Sequence, residues 1–123
     1  MPRILMMVGL GLMMAAPGAA RAEDAAAGQA VFKIYCSACH DVAPGRNRVG
    51  PSLFGVYGSE TGAVKGFRFS AANQTAHLTL DEPTLDRYLE NPRQVIPGTT
   101  MTFVGLKDPQ KRKNLIAYLA TLK

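Results

Sequence analysis

Cys36-Ser37-Ala38-Cys39-His40 is the stretch that decides how this chain is built. The sequence contains 2 cysteines, so the segment uses every thiol available. Two thiols three residues apart can add across the two vinyl groups of a haem, and the imidazole that follows can ligate its iron. Other chemistries share the spacing. A redox-active dithiol expects a strand–helix–strand setting, which the surrounding residues lack. A closed zinc site needs four ligands, and beyond the motif only His77 and carboxylates could complete it. A disulfide across so short a loop restricts the unfolded chain little. With the histidine included, covalent attachment of haem explains the stretch best.

Toward the N-terminus the sequence reads as an export signal. Arg3 is a positive leader and Ile4 to Ala16 an apolar run. Pro17-Gly18 breaks that run, and Ala20-Arg21-Ala22 offers a small-residue cleavage pattern. Thirteen apolar residues span about 20 Å as helix, short of the roughly 30 Å of a bilayer core. Residues 1–22 are therefore expected to be a cleaved signal peptide and residues 23–123 one small domain. The expected location is the periplasm, with no stable membrane insertion after cleavage. Loss of Arg3 and Arg21 lowers the formal charge from +5 to +3. No basic stretch is interleaved with aromatics, which argues against nucleic-acid binding.

Cleavage also thins the pool of iron ligands. Met1, Met6, Met7, Met13 and Met14 fall in the signal, leaving Met101 as the one methionine of residues 23–123. The histidines are His40 and His77. A sixth iron ligand of thioether or imidazole type is thus Met101 or His77.

Asp24 can cap a first helix over residues 25–38, with Val31, Ile34 and Tyr35 on an apolar face and the cysteines near its end. Gly28 is unfavourable inside that helix unless another backbone packs closely there. A short helical turn follows Ser70, over 71–75. Asp81 and Glu82 open a further helix that Pro92 ends near Asn91. Asp108-Pro109 is an N-cap with a first-turn proline, and Leu115, Tyr118, Leu119 and Leu122 mark one face of a last helix. The sequence shows no convincing strand. Residues 41–70 carry six glycines, from Gly45 to Gly66, and no periodicity. A loop of that length is unusual inside a small domain unless it wraps something, and a flat apolar macrocycle gives it something to wrap.

Ile96-Pro97-Gly98-Thr99-Thr100-Met101 is a punctuated loop before the last helix. A thioether is soft and neutral, and it favours ferrous iron. A lone methionine also fills gaps in cores, and periodicity leaves both readings open. His77, within Asn73-Gln74-Thr75-Ala76-His77, reads as a surface histidine.

These segments together resemble the class I c-type cytochromes, both the mitochondrial form and the small bacterial periplasmic ones. The resemblance runs through nearly all of 28–122. It includes Gly28 and Phe32, Cys36 to His40, and Gly50-Pro51-Ser52-Leu53-Phe54-Gly55. It continues through Tyr88-Leu89-Glu90-Asn91-Pro92, Ile96 to Met101 with Phe103-Val104-Gly105, and Leu115 to Leu119. It implies an all-α small cytochrome c fold, with three to four short helices and long loops wrapped around one haem c. That haem would be covalent through Cys36 and Cys39. His40 and Met101 are implied as iron ligands, with the Pro51 carbonyl accepting the other N–H of His40. Tyr88 and Thr99 would line the crevice near Met101, and Asn73 would join a polar network beside a propionate. Gly28 and Phe32 would meet Tyr118 where the first and last helices cross.

The implied function is that of a monomeric electron carrier, not an enzyme, docking transiently with larger redox proteins at an exposed haem edge. A dedicated acceptor subunit of one dehydrogenase has the same chemistry. A haem peroxidase or gas-binding protein would need an open sixth position. Departures from the mitochondrial pattern cluster at the propionates, where Ser59, Phe69 and Leu80 stand in place of arginine, tyrosine and tryptophan. The propionates are then expected to be more exposed, or served by Arg46, Arg48 or Arg68. Docking lysines are sparse: Lys107 and Arg93 are expected near Met101 and Arg48 on the other rim. Steering of partners by charge is correspondingly weakened.

Overall fold

The computed structural model describes Gly11 and residues 23–123. The rest of the segment expected to be a signal peptide lies outside the described residues. Five helices follow in order: α1 (Ala25–Tyr35), α2 (Ala71–Ala76), α3 (Glu82–Glu90), α4 (Pro92–Val95) and α5 (Pro109–Ala120). Among the described residues no strand forms, and a single antiparallel bridge joins Glu60 to Thr79.

Local chemistry sets the helix ends. The Asp24 carboxylate accepts from Ala27 N–H at 3.0 Å, and its own N–H donates to Asn114 Oδ1 at 3.1 Å, tying the start of α1 to α5. α1 stops at Tyr35, three residues before the expected end at 38. The Ser37 hydroxyl donates to Lys33 O at 2.6 Å and takes the acceptor that a continuing helix would need. Ser37 N–H goes instead to Phe32 O at 3.0 Å. Cys39 and His40 N–H then turn back to Cys36 O at 3.1 and 3.0 Å. The haem-attachment motif is therefore a tight turn after the helix rather than its last turn.

Pro92 ends α3, as expected, and also begins another element. Asn91 closes α3 through its N–H to Arg87 O and opens α4 by accepting from Gln94 N–H at 3.3 Å. Proline suits the first position of that single turn because it needs no N–H partner there. At the last helix, Asp108 Oδ1 accepts from Gln110 and Lys111 N–H at 2.9 and 3.2 Å.

The core gathers Val31 and Phe32 of α1, Leu85 and Leu89 of α3, and Leu115, Ile116, Tyr118 and Leu119 of α5. The stripe expected on the last helix is thus the buried one, with Leu122 packed at its edge. Phe32 and Tyr118 sit with ring centroids 5.9 Å apart and planes at 53°. Beside them α1 crosses α5 at Gly28, where a Cβ would lie 1.8 Å from Asn114 O and 2.8 Å from Tyr118 Cβ. Alanine gains about 1 kcal/mol over glycine in a helix. A backbone oxygen at that distance outweighs the gain, because the helices must separate to admit the methyl. Gly28→Ala is expected to lower unfolding stability by about 2 kcal/mol or more, measured by denaturant titration.

Candidate haem site

A cavity of about 400 Å³ lies among α3, α5, the turn after α1 and the loops at 49–70 and 96–103. Cys36, Cys39, His40, Pro51, Asn73, Tyr88, Thr99 and Met101 all line it. Residues spread over 66 positions of sequence thus meet in one chamber, whose walls are otherwise mostly aliphatic and aromatic.

His40 is fixed by its surroundings. Its Nδ1 lies 2.7 Å from Pro51 O. A carbonyl only accepts, so Nδ1 carries the proton and Nε2 presents its lone pair. Burial pushes the His40 pKa down, with the Pro51 bond opposing and the nearby Arg48 charge reinforcing the shift. The ring is therefore neutral at neutral pH, the form that binds metal. Gly50 packs flat against it: a Cβ there would stand 2.4 to 2.9 Å from three atoms of the imidazole. Gly50→Ala is expected to tilt the ring off Pro51 and weaken the His40–iron bond. The ferric spectrum would shift toward high spin, whereas an unchanged spectrum would mean the ring tolerates the methyl.

The motif is held by a residue whose role the sequence did not disclose. Arg48 donates to Ser37 O at 3.0 Å and Ala38 O at 2.6 Å, clasping the turn between the two cysteines. Cys36 and Cys39 are half-buried and not joined to each other by a disulfide. Burial, and then the neighbouring Cys39, push the Cys36 thiol up to about 11. A dithiol oxidoreductase needs a lowered thiol pKa, so the environment of Cys36 opposes that reading of the motif.

Met101 sits in a small polar web. Tyr88 Oη lies 3.8 Å from its Sδ, and Met101 N–H donates to Thr99 Oγ1 at 3.3 Å. Burial raises the Tyr88 pKa, partly offset by its hydrogen bond with Thr99, so the phenol keeps its proton and can donate to sulfur. His77 lies apart from this web. It caps α2 in the left-handed conformation (φ 49°, ψ 43°) and pairs with Glu60 at 2.9 Å, its side chain 73% exposed.

The residues present fit a haem. The Asn73 Oδ1 is buried in the cavity wall without a hydrogen-bond partner. Such an orphan is costly, and with the amide turned about its Cγ the NH2 group at the same place can donate to a carboxylate inside the chamber. The apolar walls suit a macrocycle, and the thiols, the imidazole and the thioether are its usual anchors. Three arginines were expected as candidate partners at the propionate end. None of Arg46, Arg48 and Arg68 lines the cavity. Arg46 instead pairs with Asp41 at 3.5 Å, and Arg48 is committed to the motif carbonyls. Ser59, Phe69 and Leu80 do line it. Lys107, expected as a docking charge near Met101, donates through Nζ to Glu90 O.

A small helical protein with such a chamber is a c-type cytochrome by architecture, and comparison with known proteins agrees. The family model for cytochrome c matches residues 25–123. Cytochrome c2 iso-2 of Magnetospirillum molischianum is 54% identical over 88 residues, covering 72% of this chain and 91% of that one. Cytochrome c2 of Rhodomicrobium vannielii is 50% identical over 116 residues, 94% of this chain and 91% of that one. The solved structure of cytochrome cH from Methylobacterium extorquens superposes with a TM-score of 0.75 at 43% identity, covering 80% of this chain and 98% of that one. The chain belongs to the cytochrome c family, whose members carry a covalent haem c and move electrons.

Proposed function

We propose that this protein is a soluble, monomeric, periplasmic one-electron carrier in which His40 and Met101 are the two iron ligands. Cys36 and Cys39 hold the haem by thioether bonds, and the bound iron supplies the reversible ferric–ferrous couple. The protein's own residues do the rest. Pro51 fixes the His40 tautomer, and Gly50 lets the ring sit against the backbone. Tyr88 and Thr99 hold the Met101 loop in place. The apolar walls exclude water, which keeps the charge change at the iron from reorganising its surroundings. Met101 in the cavity lining is the observation that carries this reading, because a peroxidase or gas carrier keeps the sixth position open.

Electrons would leave through the rim, where Tyr35 and Val49 line the cavity while remaining 40% and 77% exposed. Val104, next to the lining residue Phe103, is 72% exposed. Lys111 lies 5.6 Å over the Tyr35 ring and keeps a positive charge beside this apolar surface. Small, weak interfaces suit fast exchange with larger redox partners. No helix among the described residues is long and apolar enough to cross a membrane. The test of attachment is mass spectrometry of the purified exported protein. It should show one haem added, no free thiol, and a chain beginning at Glu23. Haem lost on acid denaturation would overturn the thioether assignment.

A further inference from the structure

We propose that Lys65 supplies the positive charge for a haem propionate from a side cavity that adjoins the crevice at Ser59, Ala63 and Val64. The inference rests on the haem reading above and concerns what balances the charge the haem brings. A haem carries two carboxylates, and buried carboxylates without partners are costly. Among the described residues, the crevice lining contains no lysine or arginine, and its one carboxylate is Glu60. Glu60 faces His77 at 2.9 Å on an exposed edge, so this pair brings no net positive charge to the crevice.

The neutral donors there are partly spent. The Ser59 hydroxyl donates to Val56 O at 2.7 Å. The hydroxyls of Thr61 and Ser70 accept from Leu78 and Asn73 N–H, both at 3.2 Å, and keep their own protons to donate. Those two hydroxyls and the Asn73 amide can bind a carboxylate, but none carries charge.

A second cavity of about 260 Å³ shares Ser59, Ala63 and Val64 with the crevice. Lys65 is the one cation in its lining. The backbone at Lys65 is anchored, since its carbonyl accepts from Asn47 Nδ2 at 3.1 Å while Asn47 Oδ1 takes Ser52 N–H at 2.9 Å. The side chain is exposed and makes no ion pair with any described residue. A fixed backbone, an ammonium without an ion-pair partner among the described residues and a place next to crevice-lining Val64 suit a propionate partner. Lysine suits the task because its flexible stem can enter a narrow opening as a point charge.

The test compares the haem-loaded Lys65→Gln variant with Lys113→Gln, which removes the same charge from the exposed face of α5. Reduction potential is measured from pH 5 to 9, with a thermal midpoint for each variant. Losing a cation beside the haem favours ferric iron and disfavours the ionised propionate. Lys65→Gln should therefore lower the potential more than Lys113→Gln and move the acid-side inflection to higher pH. Its thermal midpoint should stay close to that of Lys113→Gln. Lys65→Arg should restore the wild-type profile. Equal potentials and inflections in the two glutamine variants would overturn the proposal. Failure of the haem reading would show differently, as no covalent haem spectrum in the unmutated protein.

Discussion

Met101→Ala is expected to leave the fold intact and open the iron. The ferrous variant should bind carbon monoxide, and the ferric form should become high spin or take water as its sixth ligand. The reduction potential should fall by on the order of 0.1 V or more, within the roughly 0.8 V that axial ligation spans. The direction follows from chemistry: a thioether stabilises ferrous iron, and the oxygen of water favours ferric. Packing should change less than ligation, because Met101 is only partly buried and stands outside the hydrophobic core cluster. His77→Ala is the matched control. His77 is exposed and paired with Glu60, so its removal should leave the spectrum unchanged. A ferric spectrum unchanged in Met101→Ala would mean that another group ligates the iron.

Arg112→Ala is expected to cost a large share of the fold's stability. Arg112 occupies the α5 stripe three residues before Leu115, and its side chain is 7% exposed. Its Nε meets Asp86 Oδ1 at 2.8 Å, and its Nη1 donates to Leu106 O and Lys107 O at 2.9 and 3.1 Å. Asp86 is 42% exposed, so water would recover much of what the carboxylate loses. The Leu106 carbonyl is the greater cost, at about 1–3 kcal/mol for a buried acceptor left unpaired, and the part-buried Lys107 carbonyl adds less. A total of about 3 kcal/mol is expected in denaturant unfolding. Arg112→Lys should recover only part of it, since an ammonium lacks the planar fork that meets three acceptors at once. The carbonyls belong to the segment just after Met101, so ligation by Met101 should also weaken. A loss below about 0.5 kcal/mol, the ordinary range of surface changes, would contradict this account.

How far the sequence disclosed all this follows from the range of each interaction. Helices α1, α3 and α5 were legible because caps are local, and Asp24, Asp81 and Asp108 each accept from their own first turn. On α1, however, the buried face runs through Gly28, Val31 and Phe32, and the expected Ile34 is exposed. The end of α1 was misjudged by three residues, because a serine hydroxyl took an acceptor that periodicity assigns to the backbone. α4 was missed because Asn91-Pro92 ends one helix and begins another, and periodicity needs more than one turn to register. The motif at Cys36 to His40 is local and was plain. Gly50 against His40 and Arg48 on the motif carbonyls are contacts between segments, and no single window of sequence contains them. The arginines near the propionates were chosen by charge and proximity in sequence. Arg46 pairs with Asp41 and Arg48 holds the backbone, while Arg68 is exposed and Lys65 lines the cavity that adjoins the crevice.

The central claim is that His40 and Met101 together close the iron to outside ligands. Its most direct measurement is the absorption spectrum of the purified, dithionite-reduced protein at neutral pH, before and after addition of carbon monoxide. A covalent c-type spectrum that carbon monoxide leaves unchanged is the predicted result. Rapid conversion to a carbonyl spectrum would contradict it, since Met101 would then not be holding the sixth position.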